Sequence, residues 1–248
     1  MQIDINVDMG ESFGMYTMGN DAELMPHITT ANVACGFHAG DPCVMRKTVT
    51  LAIRHGVQVG AHPSLPDLQG FGRREMKMAM SEIRDDLVYQ IGALKAFVEA
   101  GGRRLHHVKP HGSLYGMMSR SREVCRAVCE AVREIDPNLL LYTMKKGVAG
   151  ETAGEMGLGV VYEVFGDLDY DPEGNLVITR QHAVLEPAAV AARVLKMVRD
   201  HKVTATDGTE IDIEGSSVCL HSDSPGALRL LKTVRGALEA AGCSIQAP

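Results

Sequence analysis

Short apolar runs alternate along the chain with longer segments in which apolar residues recur every three or four positions. The short runs are bounded by glycine, proline or polar residues and are too brief for helices, a pattern typical of buried strands. The longer segments have the spacing of amphipathic helices. The short runs predict seven strands, at residues 3–8, 32–36, 57–62, 105–109, 139–142, 159–165 and 217–221.

Capping and breaking residues indicate where the helices begin and end. Asp41 is a good N-cap because its carboxylate can accept a free N–H, and Pro42 suits the first helical position because it has no N–H to satisfy. The other predicted helix ends are the N-cap at Ser81, the stop at Gly101, the stop at Asp136, the start at Pro187 and the start at residues 223–225.

Alternation of strands and helices predicts a parallel sheet. A length of 248 residues without a linker-like segment predicts one domain, residues 1–248. Seven strands with connecting helices favour an irregular seven-stranded (β/α) barrel of the α/β class, and an open doubly wound sheet is the alternative. Residues 63–80 form a long connection that we expect to cover a site, and residues 166–186 and 202–214 are expected to form small hairpins.

Charge and composition limit the partners. The net charge is −6 and no basic stripe is present, which argues against binding to nucleic acid. No segment approaches the ~20 apolar residues of a membrane span. The N-terminus runs directly into a strand, so we expect a cytoplasmic protein whose six cysteines are reduced thiols.

Strand alternation places polar groups on one face of the predicted sheet. In the first strand, Asp4, Asn6 and Asp8 share a face, which is costly in a buried strand unless that face lines a polar lumen or a site. Because several strands finish in this way, the pattern predicts a site at their carboxyl ends. The corresponding groups of the other strands are Asn32, His38, His62, His107, Lys109, His111 and His221.

Lys109 lies where a buried strand turns, and a buried lysine needs a carboxylate or an anionic ligand. Asp8 and Glu11 are its candidate partners, so an internal salt bridge and a role in chemistry both stay open. Asp8, His38 and His62 could hold a catalytic divalent metal. The same groups could also act without metal, as acid, base and oxyanion donors.

Recognised nucleotide and nucleophile motifs are absent from the sequence. It contains neither a G-x-x-x-x-G-K-[ST] phosphate loop nor a G-x-G-x-x-G turn between strand and helix, and no G-x-S-x-G elbow. Residues 70–74 could present N–H groups and guanidinium to an anion, but they match no nucleotide motif.

Long motifs of this chain resemble the LamB/YcsF family, whose characterised role is that of the 5-oxoprolinase A subunit. The resemblance is dense up to about residue 116 and returns at residues 163–167 and 221–227. The motifs that carry it are DINVDMGE at 4–11, TANVACGFHAGDP at 30–42, GAHP at 60–63, PDLQGFGRR at 66–74, YQIGAL at 89–94 and HVKPHG at 107–112.

The resemblance implies a barrel of the glycoside hydrolase/deacetylase type and ATP-dependent opening of the lactam 5-oxoproline to glutamate. It further implies two partner subunits, which would help to handle ATP. Together with the strand pattern, it predicts two sets of site residues. The catalytic set is Asp8, Glu11, His38, His62, Lys109 and His111. The substrate-binding set is Asn6, Asn32, Arg73, Arg74, Asp167 and His221.

Several positions depart from the family pattern and keep other functions open. Val7 stands where cysteine is usual, Ser222 replaces a glycine, and no arginine follows Asp167 closely. A stand-alone metal-dependent amidohydrolase or deacetylase acting on another cyclic amide is one alternative. A non-catalytic subunit that presents a lactam to its partners is another.

Overall fold

A computed structural model describes residues 1–177 and 184–248. The strands are β1 (Gln2–Met9), β2 (Thr30–Ala34), β3 (Gln58–His62), β4 (His107–Val108), β5 (Leu140–Thr143), β6 (Val160–Phe165), β7 (Asp169–Tyr170), β8 (Leu176–Val177), β9 (Lys202–Thr204), β10 (Glu210–Asp212), β11 (Ser217–His221) and β12 (Ser244–Ile245). The helices are α1 (Asp21–Leu24), α2 (Pro42–His55), α3 (Met80–Ala100), α4 (Gly112–Arg120), α5 (Arg122–Ile135), α6 (Ala149–Glu155), α7 (Pro187–Asp200) and α8 (Ala227–Ala240). A single 3₁₀ turn, Met25–His27, follows α1.

Seven parallel strands close into a barrel in the order β1, β2, β3, β4, β5, β6 and β11. Parallel pairing of β11 with β1 completes the ring and sets Asp8 beside His221. This closure confirms the predicted barrel and excludes the open doubly wound sheet. The short strand β12, which the sequence pattern did not predict, adds to the opening residues of β1.

The two faces of the barrel strands differ in chemistry because side chains alternate along a strand. In β1, the outward residues Ile5 and Val7 are at most 1% exposed and belong to the apolar core. The helices cover this apolar side, and α3 packs on α5 while α7 packs on α8. The inward residues are polar. Gly60 of β3 points inward, where an added Cβ would lie 2.1 Å from the ring of His107.

Most predicted helix ends are confirmed. Asp41 caps α2 by accepting the N–H groups of residues 43 and 44, and Pro187 opens α7. Helix α3 ends at Gly101 and α5 ends before Asp136. Each of these positions has a residue type that is preferred at helix ends, and each lies where the helical spacing of apolar residues begins or stops.

Two predicted helix starts are wrong. Ser81 lies inside α3, which begins one residue earlier, and the carboxylate of Glu82 accepts the N–H of Ala79 at 2.8 Å. Asp223 does not cap α8, because that helix begins at Ala227 after Gly226. Its carboxylate instead pairs with Arg73 across the barrel mouth. Asp223 therefore forms a tertiary ion pair and does not begin the last helix.

The two irregular connections, residues 166–186 and 202–214, contain the predicted hairpins as far as the structure describes them. Residues 202–214 contain the antiparallel pair β9 and β10, and β7 pairs with β8 within the predicted hairpin at 166–186. Residues 178–183 of that hairpin lie outside the described residues. In the part of the chain that the structure covers, no helix has both the length and the apolar character needed to cross a bilayer.

Candidate active site

The lower layer of the barrel lumen is organised by Asp4. Its carboxylate accepts hydrogen bonds from Thr30 at 3.0 Å and from Tyr142 at 3.1 Å, and Ser217 also donates to it. Burial raises the pKa of Asp4, although these hydroxyl donors oppose the shift. Asp4 therefore lies deep and fully hydrogen-bonded, as strand alternation predicts.

Asn6 forms the next layer and joins three strands. Its Nδ2 donates to Ser217 at 2.8 Å and to Glu163 at 3.1 Å. Its Oδ1 accepts from Asn32 at 2.8 Å and from Lys109 at 3.0 Å. Asn6 and Asn32, the two amides predicted to bind substrate, are thus hydrogen-bonded to each other, and Asn6 is also bonded to other lumen residues.

Lys109 is buried at the centre of the lumen. Its Nζ lies 3.1 Å from Glu163 Oε2, 3.3 Å from Asp8 Oδ1 and 2.9 Å from Cys219 Sγ. Burial lowers the pKa of Lys109, but Asp8, Cys219 and Glu163 outweigh it and hold the pKa well above the usual value. The internal salt bridge considered from the sequence exists, with Asp8 and Glu163 as partners. Glu11, the other candidate partner, lies beside His38 instead.

Asp8 stands at the top of this charged layer. Its Oδ1 accepts from Asn32 at 2.8 Å, while its Oδ2 lies 3.2 Å from His62 Nε2 and 3.7 Å from His221 Nε2. Burial raises the pKa of Asp8, but the neighbouring His62 and Lys109 outweigh burial and hold this pKa well below the usual value. Asp8 is therefore ionised at neutral pH and faces two imidazoles.

Two backbone carbonyls fix the rings of His62 and His111. His62 Nδ1 lies 2.6 Å from the carbonyl oxygen of Lys109, and His111 Nε2 lies 2.8 Å from that of Phe71. Because a carbonyl oxygen only accepts, both of these nitrogens carry protons. The opposite nitrogens, His62 Nε2 and His111 Nδ1, then face each other at 2.9 Å.

His38 and Glu11 complete a second cluster beside this pair. The ring of His38 stacks on that of His111 with centroids 3.8 Å apart, and Glu11 Oε1 lies 3.5 Å from His38 Nε2. Burial lowers the pKa of His38 and of His111 well below the usual value, so both rings are neutral. Burial, with the charge of Asp8, raises the pKa of Glu11 well above the usual value.

Among the residues that the structure describes, two groups of side chains could hold a metal ion. Glu11, His38, His62 and His111 bring one ligand atom each to within 4.8 Å of one another, and Asp8, Cys219 and His221 form a second such group. The set predicted from the sequence, Asp8 with His38 and His62, is thus divided between the two groups.

The remaining predicted substrate-binding residues differ in their surroundings. Arg73 pairs with Asp223 at 3.3 Å and lines the pocket above Asp8. Arg74 pairs with Asp67, and its side chain is 52% exposed. Asp167 accepts His221 Nδ1–H at 2.9 Å, so it contacts the pocket through His221. Asp167 raises the pKa of His221, against burial, which lowers it.

A small pocket opens above Asp8 and Lys109 at the carboxyl end of the barrel. Its cavity volume is about 50 Å³. The connection at residues 63–80 contributes Arg73 to the lining, and Gly72 allows its backbone to approach closely, since an added Cβ would lie 2.9 Å from His38 Cβ. The lining residues are Asp8, His62, Arg73, Lys109, Pro110, His111, Gly112, Tyr115, Phe165, Leu168, Leu176 and His221.

Glu163 is the principal site residue that we did not predict. It is fully buried in β6 and points inward with Phe165, next to Lys109. A signal was available, because a lone glutamate interrupts the apolar run VVYEVF in phase with the inward positions. Strand alternation could therefore have identified it.

Comparison with known proteins agrees with this architecture. The model of the LamB/YcsF family matches residues 3–248. The chain belongs to the LamB/YcsF family. The 5-oxoprolinase A subunit of Pyrococcus abyssi is 49% identical over 247 residues, covering 99% of this chain and 97% of its own. A 5-oxoprolinase A subunit of Pseudomonas aeruginosa is 46% identical over 249 residues, covering 100% and 99%.

Solved structures support the same fold. A lactam utilization protein from Thermus thermophilus is 44% identical and superposes with a TM-score of 0.92 over 100% of both chains. A putative cellobiose-phosphate cleavage protein from Enterococcus faecalis is 13% identical and has a TM-score of 0.54, over 99% of this chain and 96% of that one. This second likeness shows a shared barrel fold alone.

Proposed function

We propose that this LamB/YcsF family member is the A-type subunit of an ATP-dependent 5-oxoprolinase, which opens 5-oxoproline to glutamate together with two partner subunits. The observation that carries the proposal is the Asp8–His62 pair, 3.2 Å apart, on the floor of a small pocket. Relatives with 45–49% identity over nearly the whole chain bear the name of that subunit.

The size and lining of the pocket favour a compact cyclic amide. A cavity of about 50 Å³ has room for a small chemical group only. Phe165, Leu168 and Leu176 provide an apolar wall, while Asp8, Arg73 and His221 supply polar groups on other sides. An apolar wall with a few convergent polar groups is typical of small-molecule sites.

A lactam amide reacts slowly with water, and the proposed chemistry first activates it. Transfer of a phosphoryl group from ATP to the amide oxygen makes the ring carbon a better target for water. Asp8 accepts the proton of the attacking water, the C–N bond breaks, and the ring nitrogen takes up that proton. A second water hydrolyses the remaining acyl phosphate, so that lactam, ATP and two waters give glutamate, ADP and phosphate.

Individual residues have distinct parts in this proposal. Asp8 is ionised and can therefore accept that proton, and His62 Nε2 lies beside its carboxylate at 3.2 Å. The carbonyl of Lys109 fixes the ring of His62, and we assign binding of the 5-oxoproline carboxylate to Arg73, which lines the pocket. Because the sequence lacks a phosphate loop, we assign much of the ATP handling to the partner subunits.

The test is a reconstitution assay that measures glutamate formed from 5-oxoproline. We expect turnover only when this chain, its two partner subunits and ATP are all present, and we expect Asp8→Asn in this chain to abolish it. Ring opening by the isolated chain without ATP would favour the stand-alone amidohydrolase. Full turnover by the partners with an Asp8→Asn chain would favour the non-catalytic lactam-binding subunit.

A further inference from the structure

Four buried side chains from consecutive strand ends converge beside the pocket. Glu11 follows β1, His38 follows β2, His62 ends β3 and His111 follows β4. Each is at most 5% exposed, and their ligand atoms lie within 4.8 Å of one another. Three imidazoles and one carboxylate are a common ligand set for first-row transition metals.

The hydrogen bonds that His62 and His111 form with the backbone leave one nitrogen of each ring without a proton, and these two nitrogens face each other. His62 Nδ1–H and His111 Nε2–H each donate a hydrogen bond to a backbone carbonyl oxygen. With one proton on each ring, His62 Nε2 and His111 Nδ1 are then both acceptors, although they lie only 2.9 Å apart. Either a shared proton or a metal cation is needed to make this contact favourable.

His38 provides an independent observation. Its side chain is fully buried, and neither ring nitrogen finds a hydrogen-bond partner among the residues that the structure describes. Buried polar atoms in native proteins are nearly always satisfied. A shared proton between His62 and His111 would leave His38 unsatisfied, whereas an ion bound by all three rings would account for it.

The second candidate group is a poorer cation site. Lys109 Nζ lies 2.9 Å from Cys219 Sγ and 3.3 Å from Asp8 Oδ1. The ammonium group of Lys109 therefore already lies against Cys219 and Asp8, and it would repel a divalent ion bound by these residues.

We infer that Glu11, His38, His62 and His111 bind one divalent transition-metal ion. The carbonyls of Lys109 and Phe71 serve as outer partners that orient two of the rings, as in known histidine metal sites. This inference concerns binding by the chain alone and does not rest on the proposed lactam chemistry.

The test is metal uptake by the full chain after treatment with a chelator. We expect the stripped protein to bind one equivalent of Zn²⁺ or Co²⁺, measured by elemental analysis after gel filtration, and Co²⁺ to give visible bands of an imidazole-ligated ion. His38→Ala and Glu11→Gln should each weaken the affinity roughly tenfold or more in competition with a chromogenic chelator. Circular dichroism of each variant establishes that it is folded.

His107→Gln is the matched control, because His107 is also a buried lumen histidine but its Nε2 lies 2.7 Å from Asn32 Oδ1, outside the cluster. This variant should bind Zn²⁺ as the parent does. Failure of the stripped parent to take up either ion would overturn the inference and leave a shared proton between His62 and His111. Equal affinity in the parent and Glu11→Gln would also contradict the four-residue site. Metal uptake without turnover in the reconstituted complex would contradict the proposed function alone.

Discussion

Lys109 Nζ lies 3.1 Å from Glu163 Oε2 at the centre of the barrel. With Asp8, these two residues connect three strand regions by charge at a place where all three side chains are buried. Removing one member of such a buried set leaves an uncompensated charge, which costs more than the pair itself contributes. The site and the stability of the barrel are therefore linked at Lys109.

Lys109→Met should lower the free energy of unfolding by about 3–5 kcal/mol, because Asp8 and Glu163 lose their buried counter-ion. Urea unfolding followed by circular dichroism measures the change. Lys146→Met replaces an exposed lysine and should stay within about 0.5 kcal/mol of the parent. Equal stability of the two variants would show that Lys109 serves chemistry without supporting the fold.

Asp8→Asn and Asp4→Asn should differ in their effect on activity. Asp8→Asn removes the ionised group beside His62 and should reduce turnover of the reconstituted complex at least ~100-fold. Asp4→Asn disturbs an acceptor that binds four side-chain hydroxyl groups of the lower layer and should lower the free energy of unfolding by about 1–3 kcal/mol. Glutamate formation and urea unfolding, measured on both variants, separate these effects, and an active Asp8→Asn complex would contradict the role of Asp8.

The ion pair of His221 and Asp167 should make stability depend on pH. Burial lowers the pKa of His221, but Asp167 outweighs it and raises the pKa above 6.5. The pair therefore stabilises the fold fully below pH 6.5, and this contribution is lost as the pH rises through the raised pKa. Between about pH 6 and about pH 9, the parent should lose more stability than Asp167→Asn. Parallel pH dependence of the two proteins in urea unfolding would contradict this pairing.

Asp41→Ala should destabilise the protein by about 1–2 kcal/mol through loss of the α2 cap. Its Oδ1 accepts the N–H groups of Cys43 and Val44, and its Oδ2 accepts that of Gly14. Asp41→Asn keeps an oxygen acceptor and should cost much less. Thermal unfolding of both variants gives the comparison, and equal losses would show that the charge of Asp41 matters more than the cap.

The isolated chain should not bind ATP tightly, because its sequence lacks a phosphate loop and its net charge is −6. Isothermal titration with ATP should give no binding in the micromolar range. Micromolar affinity would contradict the prediction, and substitution of Arg73 or Arg74 would then test residues 70–74 as the nucleotide site.

Local sequence determined much of this protein. Apolar periods fixed the seven barrel strands, and residue types with strong local preferences, such as Asp41, Pro187 and Gly101, marked the ends of helices. Alternation in β1 also assigned Asp4, Asn6 and Asp8 to one face, since the side-chain period of a strand is two. These features depend on a few neighbouring residues, so they can be interpreted without the fold.

Only the tertiary structure decided which distant side chains meet. Glu163 lies far from Lys109 in the chain, yet barrel closure sets their charged atoms in contact. Asp223 looked like a cap, but Arg73 takes its carboxylate, and Glu11 joins His38 instead of Lys109. Partner choice in a lumen depends on strand register, tilt and side-chain length together. The local pattern contains the residue types but not those distances.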